Sequence, residues 1–458
     1  MRERKLKIVI IGAGKVGEEL CVSLAADDND IVLIEKDPNR LEQLINMADI
    51  TGVVGNGALY DTQVEAGVKD CDLFIAVSPH DETNIIGAIT AHKIGAKQTI
   101  ARVRDPEFSA QFDFVMSNMG ITLMINPEKE AADEILRMIE FPSAIGIERF
   151  GKGQAYVVEV RIAEDSPICG INFKNLRKEH PNIMICAVNR QDNIIIPKGN
   201  FEIAAGDHLH VAGTLKDLDK IYLAAKSFRK RLSSALIVGG GKITRYLLER
   251  FKQISIQVKV IEVDREKAEQ LASDFPHYEI ICGDGTNQSF LKEEGLANYD
   301  AVIALTNIDE ENLLLSLFAM QQGAKKNICK VNRTDLLKVV CALGIDSIVT
   351  PRHLIADIII RFVRAQQNTE GSGVDTLFRL EDNRVEASMF HVTKDSKVIN
   401  MPIKDMPLID NLIIAFILRG TETIFPNGKD MVYAGDRIAI VTTHPNLKDI
   451  DDIFRKQR

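Results

Sequence analysis

A glycine-rich fingerprint occurs twice in this chain, and that duplication constrains the fold more than any other feature. "IVIIGAGKVGEEL" (residues 8–20) returns as "ALIVGGGKITRYLLERF" (235–251). Gly12 and Gly239 stand 227 positions apart, as do Glu35 and Glu262. "GNGA" (55–58) matches "GDGT" (283–286), "DETN" (81–84) matches "DEEN" (309–312), and "IGAKQTIARV" (94–103) matches "QGAKKNICKV" (322–331). The match runs on past this region, because "AAGDHLHV" (204–211) pairs with "YAGDRIAI" (433–440). Arg190 precedes Pro197 by the spacing that separates Arg419 from Pro426. The repeating unit is therefore a pair of domains, present twice.

Within each unit the first domain alternates strand and helix. "KIVIIGAG", "DIVLIEKD", "ITGVVGNG", "LFIAVS" and "TIARVR" are strand-like, with helical patterns between them. Apolar strands alternating with helices predict a parallel sheet covered on both faces, a Rossmann-like domain. The second domain differs: "QAYVVEVRIA" and "IMICAVNR" alternate apolar and polar residues between turns. That predicts a small α+β domain with an antiparallel sheet. The expected division is 1–126, Rossmann-like; 127–141, linker helix; 142–229, small domain; 230–350, Rossmann-like; 351–366, linker helix; 367–458, small domain. Pro127 and Pro351 suit the first turn of the linker helices. Their apolar stripes suit packing on a neighbouring copy, and "AADEILRMI" against "LIADIIIRF" is the expected internal pseudo-dimer contact.

The fingerprint carries a specific chemistry. Gly12 permits the tight turn, Gly14 lets the backbone approach a pyrophosphate, and Gly17 lets the helix pack close to the strand. The phosphates would meet free N–H groups at the helix N-terminus. Glu35 ends the second strand, where a carboxylate accepts from ribose hydroxyls and repels a 2′-phosphate. NAD or an adenine nucleotide is favoured over NADP; the alternative is a Rossmann-like domain without a ligand. Ser78 closes the fourth strand at the ligand-binding edge. Arg102 and Arg104 lie two apart, on one strand face, and could clamp anionic oxygens. Their plainer reading is an ion-paired surface, and that of Asp81 is a helix N-cap.

The second unit keeps Gly239, Gly241 and Glu262 but has Thr244 where the first has Gly17. A β-branched side chain there should hold the helix slightly off the strand. Lys330 replaces Arg102, and Asn332 replaces Arg104. The second site is therefore expected to keep ribose recognition with a weaker clamp for further phosphates.

Several classes are disfavoured. A net charge of −9 over 458 residues argues against a nucleic-acid partner, without excluding a local basic patch. The longest candidate apolar run, "LIIAFIL" (412–418), is far short of the roughly 20 residues of a membrane span. The N-terminal apolar run is too short for a signal peptide, so a cytoplasmic protein is expected. The seven cysteines, at 21, 71, 169, 186, 282, 329 and 341, have no CxxC spacing and read as buried thiols. No metal-ligand spacing and no convergent proton donor for hydride transfer are evident, so neither metal nor catalytic residues are expected. A binding module reads better than an NAD-dependent oxidoreductase, which stays as the alternative.

Together "IIGAGKVG", "VVGNGA", "AVSPHDETN", "ARVRDPEF", "IVGGGKI", "GDGT" and "ALTNIDEEN" resemble the regulator-of-conductance (RCK, or KTN) family over nearly the whole chain. The arrangement is similar to that of cytosolic regulatory subunits of bacterial potassium uptake. The resemblance implies NAD(H) and ATP or ADP binding at Gly12, Ala13, Gly14, Lys15, Val16, Glu35, Ser78 and Arg102. In the second unit it implies Gly239, Gly240, Gly241, Lys242, Ile243 and Glu262. It also implies a homo-oligomeric ring, a dimer or tetramer of chains, on the inner membrane face beneath a TrkH-, TrkG- or KtrB-like subunit. Regulation of another transporter class, such as an antiporter or chloride channel, is the alternative.

Overall fold

The computed structural model describes residues 5–105, 108, 112–140, 147–226, 232–333, 336, 343, 345, 347–367, 374–381, 384–444, 447 and 449–455. Its strands build four sheets. The first is parallel and comprises β1 (Lys7–Ile11), β2 (Asp30–Glu35), β3 (Thr51–Val54), β4 (Leu73–Ala76), β5 (Gln98–Arg102) and β6 (Leu123–Ile125) in the order 3-2-1-4-5-6. Strand β1 pairs with β2 from Lys7↔Asp30 to Ile11↔Ile34, and with β4 on its other side. This order places the reversal of winding between β1 and β4, beside the first glycine-rich loop. Helices cover both faces, so β4 is buried along its whole length.

The small antiparallel sheet that follows has β7 (Ile147–Phe150), β8 (Ala155–Arg161), β9 (Ile183–Arg190), β10 (Asn193–Ile195) and β11 (His208–Gly213) in the order 10-9-11-8-7. The third sheet repeats the first: β12 (Ser234–Val238), β13 (Gln257–Glu262), β14 (Glu279–Cys282), β15 (Ala301–Ala304), β16 (Lys326–Lys330) and β17 (Ile348–Val349), ordered 14-13-12-15-16-17. The fourth repeats the second, with β18 (Val374–Leu380), β19 (Val385–His391), β20 (Leu412–Arg419), β21 (Glu422–Ile424) and β22 (Arg437–Thr442). Tandem duplication of a Rossmann-like domain and a small α+β domain is thus the architecture.

Pairing does not follow chain order. Residues 1–140 and 231–360 form one compact unit, and 141–230 with 361–458 form the other. In the first unit the two parallel sheets are joined by the first linker helix, Pro127–Glu140. Its buried stripe, Ala131, Ala132, Ile135 and Ile139, belongs to the core of the second Rossmann-like domain, with Leu247, Phe251 and Val260. Arg250 pairs with Asp133 at 2.6 Å, and Asn126 donates to the Tyr246 hydroxyl at 3.0 Å. The helix Lys242–Phe251 is therefore the main partner of this linker helix, which corrects the expected contact between the two linker helices. The second linker helix, Pro351–Gln367, reaches the first domain instead, where His353 pairs with Glu19. Burial of each isoleucine contributes about 1.5–3 kcal/mol.

In the second unit the two antiparallel sheets share an apolar core that includes Phe150, Val157, Met184, Phe416, Leu418 and Val441. Phe150 meets Phe416 edge-on at 5.3 Å between ring centres. The repeat-matched arginines lock each sheet to its own AGD turn. Arg190 binds Asp207 through two hydrogen bonds of 2.7 Å, and Arg419 binds Asp436 at 2.9 and 2.8 Å. Of the cysteines, Cys21, Cys71, Cys186 and Cys329 are buried as expected; Cys169 is half-buried, and Cys282 is exposed at the end of β14. Cys341 lies outside the described residues.

Candidate functional site

The first glycine-rich loop lies between β1 and the helix Lys15–Ala26. Gly12 has φ +98°, and a Cβ there would come 2.9 Å from the Ser78 Cα. A Cβ on Gly17 would come 1.9 Å from the Gly12 carbonyl oxygen, so glycine is required for the close helix–strand approach. Gly14 is different: it has ordinary φ, and a Cβ on it would meet nothing within 4 Å. A side chain there would meet no described atom of the fold.

Glu35 turns inward at the end of β2. Its Oε2 accepts from the Ala13 N–H at 2.6 Å, and its Oε1 accepts from the Lys36 N–H at 2.7 Å. The second unit repeats this, with Glu262 accepting from the Gly240 N–H at 2.6 Å. Both carboxylates are fixed beside their loops with lone pairs left for hydroxyl donors. Thr244, fully buried, donates its hydroxyl to the Gly239 carbonyl. The helix in the second unit thus leaves room for a Cβ, and the hydroxyl turns that spacing into a hydrogen bond.

Ser78 is buried, and its hydroxyl donates to the His80 carbonyl at 3.3 Å. Its own carbonyl accepts from Arg102 Nη2 at 2.7 Å, while Arg102 Nε is buried without a hydrogen-bond partner. Burial, and after it the neighbouring Arg104, pulls the Arg102 pKa down. Arg104 donates to Glu128, at the start of the first linker helix. The two guanidiniums line one cavity, but neither is a free clamp. Asp81 does not cap its own helix; the Oδ2 accepts from the N–H groups of Arg104 and Asp105 at 2.9 and 2.8 Å. Asp309 holds Asn332 and Arg333 in the same way in the second unit. This role, clamping the chain after the fifth strand, was missed because the partners lie 23 and 24 residues away.

Both loops open into one cavity of about 700 Å³. Gly14, Lys15 and Val16 line one side of it, and Gly241, Lys242, Ile243 and Thr244 the other. Arg102, Arg104, Lys330 and Arg352 add further positive charge, against the one carboxylate, Glu128, among the described lining residues. Lys330 is buried there, which lowers its pKa. In a chain of net charge −9 this basic cavity suits an anion. A cavity of about 350 Å³ beside Ala13, Asp37 and Gln43 shares Lys15 and Arg40 with the first. The residues fit a dinucleotide or nucleoside polyphosphate: an open Gly14, an Arg102 Nε buried without a hydrogen-bond partner, and the Glu35 carboxylate held on the Ala13 N–H of the same loop. Another cavity, of about 880 Å³, lies away from the glycine-rich loops, between the small sheets. Apolar residues such as Phe173, Ile185 and Leu412 line it, and Arg177 donates there to the Phe425 and Pro426 carbonyls.

Two winding reversals, each with a glycine-rich loop facing a common basic cavity, define a tandem Rossmann-type chain with paired small domains. Residues 8–127 and 235–351 match the TrkA-N domain, and 157–225 and 388–455 match the TrkA-C domain. The chain belongs to the TrkA family. The Trk system potassium uptake protein TrkA homolog of Archaeoglobus fulgidus is 31% identical over 451 residues, covering 98% of this chain and all of that one. TrkA homolog 1 of Methanosarcina mazei is 32% identical over 461 residues, with the same coverage of 98% and 100%. Among solved structures, the GsuK RCK domain superposes with a TM-score of 0.61 at 15% identity, over 96% of this chain and 93% of that one. The fold is therefore that of RCK domains. No described helix is long and apolar enough to cross a membrane.

Proposed function

We propose that this chain is the nucleotide-sensing cytosolic regulatory subunit of a potassium-uptake system, without catalytic activity of its own. The cavity shared by both glycine-rich loops carries this reading, because a ligand in either loop faces the other domain. NAD(H) and ATP or ADP are the proposed ligands, with the adenosine ribose on Glu35 or Glu262 and phosphates on the loop N–H groups. Arg102, Ser78 and Lys330 are proposed to complete the two sites. Relatives named for Trk potassium uptake support the system, and a solved GsuK channel described as bound to NAD, similar at TM-score 0.62 and 14% identity, shares the fold.

A nucleotide changes a gate only by binding two conformations of the regulator unequally. A difference of about 1.4 kcal/mol changes their ratio tenfold. The proposed readout is a ring of two or four chains at the inner membrane face, under a TrkH-, TrkG- or KtrB-like subunit. Within each chain the proposed limits are 1–126 and 230–350 for the nucleotide-binding domains, 127–141 and 351–366 for the linker helices, and 142–229 and 367–458 for the small domains. Co-purification with such a subunit, followed by potassium flux in liposomes, tests the proposal. Flux that changes with ATP, ADP or NADH and requires Gly14 is expected. A complex whose flux ignores every nucleotide would refute nucleotide sensing, and failure to form any complex would refute the partner.

A further inference from the structure

The duplication supplies an internal control for the small domains. Strands β8 and β11 correspond to β19 and β22. In the second copy Met389 sits opposite Ala439, and both are buried in the core shared by the two sheets. In the first copy the corresponding opposed pair is Glu159 and His210. An apolar pair on one side has thus become a carboxylate and an imidazole on the other.

The turns that reach across diverge as well. The β7–β8 turn sends Gln154 to the Gly420 carbonyl and to Arg437. The β18–β19 turn sends Glu381, whose Oε1 lies 2.7 Å from His210 Nε2. Asn189 holds the other oxygen of Glu381 at 2.7 Å. His208, two residues from His210 and on the same face of β11, contacts Glu159 Oε1 through Nδ1 at 2.5 Å. One ligand atom from each of Glu159, His210 and Glu381 lies within 4.8 Å of the others. The side chains of His210, Glu381 and Glu159 are 5%, 10% and 19% exposed. Arg384 also approaches Glu381, at 3.7 Å, from a more exposed position.

We propose that Glu159, His210 and Glu381 bind a divalent transition-metal ion of the zinc type, which clamps the first small domain to the second. The ligand chemistry suits it: one imidazole and two carboxylates with a water make a four-coordinate N/O set. Asn189 and His208 each engage a ligand carboxylate, as outer partners do in metal sites. The ligands must close to bond lengths of about 2.0–2.2 Å, which carboxylate rotation permits. Entry of the ion breaks the hydrogen bond between His210 Nε2 and Glu381 Oε1 and releases its proton to solvent. Linear spacing could not reveal this site, because its three ligands come from strands β8 and β11 and a turn of the other small domain.

The test uses the full chain, stripped of nucleotide and metal, and titrated with Co²⁺ and Zn²⁺. One equivalent is expected, with a visible cobalt absorption band and no thiolate charge-transfer band. His210→Gln and Glu381→Gln are each expected to weaken affinity at least tenfold, whereas Gln154→Glu, at the diverged turn, leaves it unchanged. Unchanged nucleotide affinity and molecular size show that the variants are folded. Zinc should raise the unfolding midpoint of the wild type and not that of the variants. Three results would overturn the proposal: a thiolate signature, stoichiometry and affinity indifferent to both substitutions, or a wild type that binds no metal although His210→Gln destabilises it. The last would leave only a His–Glu ion pair.

Discussion

Arg104 binds Glu128 through two donors, Nε at 2.7 Å and Nη2 at 2.5 Å, both on the same carboxylate oxygen. The other oxygen of Glu128 is buried without a hydrogen-bond partner. The guanidinium that the sequence offered as a phosphate clamp is therefore already held, by a linker helix that packs on the other Rossmann-like domain. Under the proposed function, an anion entering the cavity would share Arg104 with Glu128 or displace it, which would couple its binding to that helix.

Glu128→Gln should release Arg104 and tighten ATP binding about tenfold, since it removes the competing charge from the cavity. Arg104→Ala should instead narrow the preference for ATP over ADP more than it weakens NAD. It leaves a buried carboxylate unpaired, at a cost of about 1–3 kcal/mol. Calorimetry on nucleotide-free protein checks both; equal weakening of all ligands by Arg104→Ala would show that the residue does not discriminate phosphate number.

Gly14→Val separates ligand binding from folding. No described atom lies near the added Cβ, and the backbone there is open to any residue. The unfolding midpoint should stay within error while first-site affinity for NADH and ATP falls at least tenfold. Gly12→Ala is the contrasting case, because its positive φ and contact with Ser78 forbid a side chain. That variant should lose stability as well as binding. If Gly14→Val bound nucleotide normally, the pyrophosphate would have to lie elsewhere.

Ile135→Ala tests the exchanged linker helix. Ile135 is fully buried in the core of the second Rossmann-like domain. The truncation should cost about 2–5 kcal/mol in chemical denaturation. Hydrogen exchange should show the loss in β12 and β13 as well as in the helix itself. Protection lost only within 127–140 would mean that the helix is not part of that core.

His353 gives a pH-dependent term. Its pKa is raised above the ordinary 6.5, first by the hydrogen bond to Glu19, with Asp357 adding to it and burial opposing it. A raised folded-state value means that the contribution is fully present below the unfolded pKa. It fades as pH rises through the folded one. His353→Gln should therefore destabilise the chain at about pH 5.5 and scarcely at about pH 8.5. The side chain is half exposed, so a small effect is expected. Melting curves of both proteins across that range give the difference directly, and one that grew with pH would contradict the pairing.

Much of this architecture was legible because it rests on local patterns. Buried strands such as "LFIA" and the spacing from Gly12 to Gly17 report their structure within a few residues. The pairing of Arg104 with Glu128 was not legible, because the partners belong to different elements 24 residues apart. The same holds for Asp81, where a helix-start motif concealed a longer-range role. The hydrogen bond of Thr244 to the Gly239 carbonyl depends on a rotamer that sequence does not state. Exchange of the first linker helix was hidden for another reason: its apolar stripe fits a second copy of the chain as well as the other half of its own.

That exchange has a consequence for how such a chain can be divided. An isolated half ending near residue 229 would keep its linker helix yet lose the core that covers Ala131, Ile135 and Ile139. Its own duplicate is the ready substitute, so the fragment should self-associate where the whole chain need not. Covalent fusion replaces that encounter with a fixed effective concentration. Once partner choice no longer depends on matching surfaces between identical copies, each half can mutate alone. Glu159 and His210 facing one side, with Met389 and Ala439 in their places on the other, are a record of that independence.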